Sequence, residues 1–295
     1  MSIAVVFPGQ GSQNRDMADS FSDVSSFNEV IDQGSEILNY DVREAIRDEK
    51  KINDTIFTQP LMLTISYAMW DTLIKETNIR VHIGAGHSLG EYTALVANKT
   101  LSFNDALLLV KKRAEFMSSA MVDVDGAMAA VIGFDRDQLD LLVKRIDDIV
   151  IANDNSSSQV VLSGTNEALD NLSREITCKR FLKLNVSGAF HSPFMSEPST
   201  KFSEYLKKIQ FKNPSFPVIS NYEPSLCSDP NELKNRLEKQ MCNGVRWRET
   251  MDLMAKDSDL HIVEIGPSNV LSGLGKRHIK DVKISQVSSS DQISY

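Results

Sequence analysis

The sequence has no excess of basic residues. Its 295 residues carry 32 lysines and arginines against 40 aspartates and glutamates, which gives a formal net charge of −8. Proteins that bind nucleic acid or anionic membrane surfaces need clustered positive charge to displace the counterions of the phosphates. We therefore expect neither a nucleic-acid partner nor a membrane partner.

Cysteine is scarce as well. The chain has three cysteines, Cys178, Cys227 and Cys242, and no two of them have Cys-x-x-Cys spacing. An odd, scattered set gives no framework for disulfides or for a thiolate metal site, and it is typical of a reducing compartment. We expect no metal site.

Long apolar runs are also missing. The apolar run at residues 3–7 is too short for a signal peptide and has no charged segment before it, and no run approaches the length of a membrane span. These absences predict a cytoplasmic protein. The length is sufficient for one large domain or two smaller ones.

A Gly-x-Ser-x-Gly pattern is the most informative stretch that is present. The segment Gly86-His87-Ser88-Leu89-Gly90 lies between an apolar run at residues 81–85 and a helix-forming run at residues 92–97. Strand, tight turn and helix form the setting of a nucleophile elbow, in which the serine hydroxyl is exposed on a sharp turn. Backbone N–H groups at the start of the helix can then stabilise an oxyanion. The alternative is an ordinary glycine-rich turn.

Arg113 interrupts an apolar helix stripe. Ser102 is expected to cap this helix, and Ala106, Leu109 and Met117 share the face on which Arg113 falls at helical spacing. A buried guanidinium is costly unless an acceptor meets it. It therefore extends to solvent from the edge of the stripe, or pairs with an internal carboxylate, or is held ready for an anionic substrate, which it can bind through two parallel hydrogen bonds.

A nucleophilic serine needs a base, and the chain has five histidines. His82 and His261 begin apolar strands and His278 lies in a charged surface run, so we interpret these three as structural. His87 adjoins the serine on the same turn and is poorly placed to accept its proton. His191 lies in an irregular segment before a proline, and it is the leading candidate for the general base. No Asp or Glu is evident as a third member, so a backbone or amide carbonyl could orient the ring instead.

The pattern of strands and helices predicts an α/β protein with two parts. A β-α-β-β-α-β order within residues 125–186 is typical of a ferredoxin-like unit. We predict that it is inserted into an α/β-hydrolase-like large subdomain with a parallel sheet, formed by residues 1–124 and 187–295. Locally, residues 16–34 are predicted to form one helix, and Thr58 to begin another.

Six segments together resemble the bacterial malonyl-CoA:acyl carrier protein transacylase family, and the resemblance covers essentially the whole chain in order. The segments are Phe7-Pro8-Gly9-Gln10-Gly11-Ser12-Gln13, Gly86-His87-Ser88-Leu89-Gly90-Glu91, Arg113, Gly126-Ala127-Met128-Ala129-Ala130, Gly188-Ala189-Phe190-His191-Ser192-Pro193 and Glu264-Ile265-Gly266-Pro267.

The resemblance implies a role for each matching residue of the reaction centre. Ser88 would be the acylated nucleophile and His191 its base. The backbone N–H groups of Gln10 and Leu89 would form the oxyanion hole. Arg113 would bind the free carboxylate of the malonyl group.

The resemblance also assigns the residues around this centre. The backbone carbonyl of Gln240 would hold the histidine ring, and Phe190 and Met117 would line the acyl site, with the Phe190 ring filling the space that an α-methyl group would need. Two departures stand out: Gly244 replaces the proline usual in the family, and Ser268-Asn269 replaces its usual Gly-Lys/Arg.

The implied function is transfer of malonyl from malonyl-CoA to the phosphopantetheine thiol of acyl carrier protein for fatty acid synthesis, by an acyltransferase that needs no cofactor and acts as a monomer. The alternatives are a serine esterase or thioesterase-type hydrolase with the same elbow, an acyltransferase of a polyketide pathway, and a catalytically silent scaffold. Since carrier proteins are acidic, docking would need a local basic patch. The candidates are Lys179, Arg180 and Lys183, or Lys276, Arg277 and Lys280.

Overall fold

The structure is a computed structural model that describes residues 2–120, 125–186 and 188–293. Val124 and Ser187, which stand at the predicted subdomain limits, lie outside the described residues. Within the described residues the chain forms two β-sheets, one of six strands and one of four. The exact subdomain limits therefore stay a prediction.

The described residues contain ten strands and twelve α-helices. The strands are β1 (Ser2–Phe7), β2 (Ile83–Gly86), β3 (Gly126–Phe134), β4 (Ile149–Ser156), β5 (Gln159–Thr165), β6 (Cys178–Lys183), β7 (Val218–Ile219), β8 (Leu226–Cys227), β9 (Leu260–Ile265) and β10 (Lys283–Val287). The helices are α1 (Ser25–Leu38), α2 (Val42–Arg47), α3 (Glu49–Asn53), α4 (Thr55–Glu76), α5 (Gly90–Ala97), α6 (Phe103–Ser119), α7 (Arg136–Arg145), α8 (Asn166–Glu175), α9 (Ser196–Leu206), α10 (Pro230–Lys239), α11 (Trp247–Met254) and α12 (Val270–His278).

The large sheet has the order β10-β9-β1-β2-β7-β8 and is parallel except for the edge strand β8, which runs antiparallel to β7. Strand β1 is apolar on both faces because helices cover both: Val5 and Phe7 pack into one core, and Ala4 and Val6 into the other. Phe7 pairs with Gly86, so the strands β1 and β2 end side by side. Their carboxyl ends form the sheet edge where open α/β folds bind ligands.

The structure corrects two of the predicted helices. Helix α4 begins at Thr55 and not at Thr58, because the Asp54 side chain accepts a hydrogen bond from the backbone N–H of Ile56 and caps the helix earlier. Residues 16–34 do not form one helix: α1 starts only at Ser25, after a short 3₁₀ turn. The rings of Phe21 and Phe27 stack 4.8 Å apart across this break, so the chain turns between them to bury both.

The small sheet confirms the predicted ferredoxin-like pattern. Its four strands are antiparallel in the order β4-β5-β3-β6, and α7 and α8 are the two helices of the pattern. Leucines of these helices pack with apolar residues of the strands in a core of their own. The members of that core include Val131, Leu139, Leu142, Val160, Leu162, Leu169 and Leu172.

The two sheets are joined at β4. The backbone N–H of Asp154 donates to the carbonyl of Val245 (2.9 Å), and the N–H of Val245 donates to the carbonyl of Ala152 (2.8 Å). The Asp154 carboxylate also accepts hydrogen bonds from Arg136 (3.1 Å) and Arg248 (3.0 Å), which belong to α7 and α11. The small unit is thus attached to the large one by a strand edge, by an ion-paired carboxylate, and by apolar residues such as Met128 and Val161 that pack into the large core. No helix of the described residues has the length and hydropathy needed to cross a membrane.

Candidate active site

Ser88 lies at the predicted elbow, between β2 and α5. Its φ of 50° is in the left-handed region, which is unfavourable for a residue with a side chain. The glycines on either side allow the strand and helix to meet: a Cβ at Gly86 would lie 1.9 Å from the carbonyl carbon of Gly90, and a Cβ at Gly90 would lie 2.0 Å from the carbonyl oxygen of Phe7. The predicted close approach is therefore confirmed.

His191 lies beside the serine. Its Nε2 is 2.7 Å from Ser88 Oγ, and its Nδ1 faces two backbone carbonyls, those of Gln240 (3.0 Å) and Asn243 (3.2 Å). Because a carbonyl can only accept, Nδ1 carries the proton and Nε2 is free to accept one from the serine. Burial, together with the nearby Arg113 guanidinium, lowers the pKa of His191 to about 3. The ring is therefore neutral near pH 7, and its Nε2 carries no proton.

The other histidines have structural contacts. His87 is half-buried and lines the cavity, and its Nε2 lies 2.8 Å from Asn155 Oδ1. Burial lowers the pKa of His87, which keeps this ring neutral too. On the surface, His278 pairs with Asp252 at 2.7 Å.

Arg113 projects from α6 into the same site and is 1% exposed. Its Nη1 donates to Gln59 Oε1 (2.6 Å), and its Nη2 lies 3.2 Å from Gln240 Oε1 and 3.3 Å from Ser88 Oγ. Its Nε is buried without a hydrogen-bond partner. Among the described residues no carboxylate is hydrogen-bonded to this guanidinium. A direct ion pair with an internal carboxylate is therefore not found among the described residues.

A buried carboxylate lies one amide group away. Glu91 Oε2 accepts hydrogen bonds from Gln240 Nε2 (2.7 Å) and from the backbone N–H of Asn221 (3.1 Å). Burial raises the pKa of Glu91 to about 7. Since Arg113 can only donate and a carboxylate can only accept, the orientation of the Gln240 amide between them is fixed. Gln240 thus contacts His191 through its backbone and the arginine through its side chain.

Gln10 and Leu89 are the two residues expected to stabilise an oxyanion. They follow the adjacent strands β1 and β2, and both line the cavity that contains Ser88. Neither backbone N–H donates a hydrogen bond to another residue that the structure describes, so both remain available to a ligand. The Gln10 side chain is anchored by Thr55, whose hydroxyl accepts a hydrogen bond from it at 3.1 Å.

A cavity of about 90 Å³ opens over the serine. It has a polar floor at Ser88 and Arg113 and a mainly apolar wall on one side, the combination that orients a small polar ligand. All the substrate residues named from the sequence lie on it. The lining comprises Gln10, Gln59, His87, Ser88, Leu89, Arg113, Met117, Met128, Asn153, Leu184, Val186, Phe190 and His191.

Four residues of the site were not found from the sequence. Gln59 accepts from Arg113, Asn243 helps to hold His191, and Asn221 and Glu91 support the elbow. Glu91 directly follows the Gly-x-Ser-x-Gly pattern, and that position could have singled it out. Asn243 lies three residues after Gln240, whereas Gln59 and Asn221 are distant in sequence from every motif, and only the fold brings those two to the site.

The described residues contain no group of three His, Cys, Asp or Glu side chains able to hold a metal ion. The geometry supports nucleophilic chemistry by a serine and a neutral imidazole, beside a buried cation.

The chain is similar to known proteins over its whole length. The acyl transferase domain family matches residues 4–291. A malonyl CoA-acyl carrier protein transacylase from Synechocystis is 38% identical over 295 residues, which cover 100% of this chain and 99% of that protein. The crystal structure of the Synechocystis malonyl-CoA:ACP transacylase superposes with a TM-score of 0.94 over 99% of each chain.

Two further solved structures agree. An acyl-carrier-protein S-malonyltransferase from Burkholderia pseudomallei is 36% identical, with a TM-score of 0.94 over 99% of this chain and 98% of that one. A malonyl-transacylase solved in complex with a type II PKS acyl-carrier protein is 31% identical, with a TM-score of 0.94 over 99% of this chain and 98% of that one. The predicted fold class is confirmed by these similarities.

Proposed function

Because the chain belongs to the acyl transferase domain family, we propose that it transfers malonyl groups from malonyl-CoA to the phosphopantetheine thiol of acyl carrier protein, for fatty acid synthesis. The reaction would proceed through a malonyl ester on Ser88. The observation that carries this proposal is the buried guanidinium of Arg113, whose Nη2 lies 3.3 Å from Ser88 Oγ. The guanidinium is therefore close enough to bind the free carboxylate of a malonyl group that is attached to Ser88.

In the first half-reaction, Ser88 Oγ attacks the thioester carbon of malonyl-CoA while His191 Nε2 accepts the hydroxyl proton. The tetrahedral intermediate collapses, the carbon–sulfur bond breaks, and the imidazolium returns the proton to the CoA sulfur. In the second half-reaction His191 takes the proton of the pantetheine thiol, whose sulfur attacks the ester. Ser88 then leaves with that proton, and the enzyme is restored.

The transition states of both halves carry negative charge on the former carbonyl oxygen. We assign its stabilisation to the backbone N–H groups of Gln10 and Leu89, which have no other described partner. Each such donor contributes about 10²–10³ in rate when it is aimed at the developing oxyanion. The low pKa of His191, about 3, means that little imidazolium is present before the attack at neutral pH.

The acyl selectivity is assigned to three side chains. Arg113 binds the malonyl carboxylate, and its unpartnered Nε adds to the attraction. The Phe190 ring, which is 6% exposed, occupies space next to His191 that an α-methyl group would need. Met117 forms part of the wall, and its Sδ accepts a hydrogen bond of 3.5 Å from the Gln59 amide that also holds Arg113.

A hydrolase with the same elbow is the main alternative. Such an enzyme would have an apolar acyl pocket and a carboxylate on the histidine, whereas Nδ1 of His191 bonds to two backbone carbonyls and the pocket contains a buried arginine. The geometry therefore favours the transferase.

For carrier-protein docking we favour the basic residues of β6. Lys179 and Arg180 are exposed on this edge strand, and the chain continues from it directly into Leu184 and Val186, which line the cavity. Lys183 is already paired with Asp170 at 2.7 Å. The other candidates, Lys276, Arg277 and Lys280, lie in or just after α12 and do not line the cavity.

We also propose that the protein acts as a monomer in the cytoplasm without a cofactor. The test is to incubate the protein with malonyl-CoA and to measure its intact mass. A stable malonyl adduct that maps to Ser88, is absent from Ser88→Ala and is discharged by the thiol-bearing form of acyl carrier protein is the expected result. Rapid release of free malonate without transfer would instead establish a hydrolase, and no adduct at all would establish a silent scaffold.

A further inference from the structure

Asn221 is a buried residue whose side-chain amide contacts the nucleophile elbow at two points, Gly86 and Ser88. It follows β7 and is 1% exposed. Its Oδ1 accepts a hydrogen bond from the backbone N–H of Ser88 at 2.6 Å, and its Nδ2 donates to the carbonyl of Gly86, also at 2.6 Å. One side chain thus bridges the last residue of β2 and the serine, in the way that a neighbouring strand would.

The amide of Asn221 is itself held in place. Its backbone N–H donates to Glu91 Oε2 at 3.1 Å, and its backbone carbonyl accepts from the N–H of Arg246 at 3.2 Å. Every polar group of the residue therefore has a partner, which fixes the side chain against the elbow.

Ser88 needs such support because its backbone is strained. A left-handed conformation costs a residue with a side chain free energy, and it persists only where the surroundings over-determine it. On the carbonyl side the Gln240 amide donates to Ser88 at 2.9 Å. On the N–H side the support comes from Asn221.

On the proposed function of this site, we infer that Asn221 is a positioning residue: it holds the Ser88 turn so that the hydroxyl stays between His191 and Arg113. The bond to Asn221 also occupies the Ser88 N–H, which leaves the oxyanion to Gln10 and Leu89. Asn221 itself does not line the cavity, and it contacts Ser88 only through the backbone N–H. It should therefore govern how fast the serine reacts and not which acyl group binds.

The test compares Asn221→Leu, which has similar volume without polar atoms, with the wild-type protein. Loss of a buried hydrogen bond lowers the fraction of correctly presented serine by about 10- to 100-fold, and we expect kcat to fall by that factor with KM nearly unchanged. Malonyl-CoA and acetyl-CoA should be affected equally. The reaction of Ser88 with a small sulfonyl fluoride, which uses no carboxylate contact, should slow by the same factor.

Asn98 provides a matched control. It is also fully buried, and its amide likewise joins two backbone segments, donating to the Phe216 carbonyl (3.2 Å) and accepting from the N–H of Thr100 (3.0 Å). Asn98→Leu should lower the midpoint of thermal unfolding comparably and leave kcat unchanged. Equal losses of kcat in the two variants would reduce Asn221 to a residue of general stability and overturn the inference.

A second variant covers the case in which Asn221→Leu does not fold. Asn221→Asp keeps an acceptor for the Ser88 N–H and loses the donor to Gly86, so it should retain part of the rate. Wild-type kcat in Asn221→Asp, or an altered malonyl-to-acetyl ratio in either variant, would contradict the positioning role. If the wild-type protein forms no malonyl ester at all, the proposed function fails, and sulfonyl fluoride reactivity still tests Asn221.

Discussion

Replacing Arg113 by alanine should remove the preference for an acid-tipped acyl group. The guanidinium can give the malonyl carboxylate two charge-assisted hydrogen bonds, each contributing about 1.5–3 kcal/mol. Water in the enlarged cavity would offset part of the loss, so we expect a net cost of about 3 kcal/mol. This corresponds to about a 10²-fold lower kcat/KM for malonyl-CoA. Acetyl-CoA, whose methyl group cannot use the guanidinium, should lose far less.

The assay is the rate of Ser88 acylation by each thioester, measured by intact mass in single-turnover experiments. Arg248→Ala serves as a control, because this arginine also bonds a carboxylate, Asp154, and lies outside the cavity. It should alter stability and leave the malonyl-to-acetyl ratio unchanged. If the Arg113 variant kept the wild-type ratio, the guanidinium would not bind the malonyl carboxylate, and the assignment of selectivity would be refuted.

Three other perturbations have expected outcomes. Burial raises the pKa of Glu91 from 4.5 to about 7, so between these pH values the folded protein binds a proton that the unfolded chain releases. The free energy of unfolding therefore falls as pH rises through this range, and Glu91→Gln should remove a slope of about 1.4 kcal/mol per pH unit, measured by urea unfolding. His191 acts in the opposite direction: its pKa falls from 6.5 to about 3, so its contribution to the free energy of unfolding is lost as pH falls through that range. His191→Ala should therefore change the pH slope of the unfolding free energy in the opposite sense to Glu91→Gln. Changes of the same sign in the two variants would contradict these pKa shifts. Gly90→Ala should destabilise the fold by about 1–3 kcal/mol in thermal unfolding, because its Cβ would lie 2.0 Å from the Phe7 carbonyl oxygen, and wild-type stability would argue against so tight a crossing.

Several residues of the site could be predicted because each stands in a short sequence pattern that is typical of its chemistry. The elbow at Ser88 follows from two glycines at fixed spacing, and Arg113 is visible as a charge on an apolar helix face. His191 could be chosen by elimination among five histidines. The residues alone left open which group orients His191, and the resemblance implied the backbone carbonyl of Gln240. In the structure the carbonyls of Gln240 and Asn243 both face its Nδ1.

The residues that could not be predicted are those whose role depends on distant parts of the chain. Asn221 lies 133 residues after Ser88, and Gln59 lies 54 residues before Arg113. Neither stands in a periodic pattern or a motif, since an isolated amide has no sequence signature. The helix starts at Ser25 and Thr55 were missed for a different reason. The Asp54 cap sets the start at Thr55, and the stacking of Phe21 on Phe27 accompanies the turn before Ser25, and neither contact is visible in the residue composition.

The backbone hydrogen bonds between β4 and Val245 constrain how the small unit can move relative to the large one. The same short segment, residues 240–245, supplies the carbonyls that hold His191 and the main chain that is stitched to the small unit. A rigid-body rotation of the small unit would displace the carbonyls of Gln240 and Asn243. It would thereby change the orientation of His191. A wider entrance is therefore better engineered by shortening Leu184 or Val186, which line the cavity, than by breaking the backbone bonds between β4 and Val245.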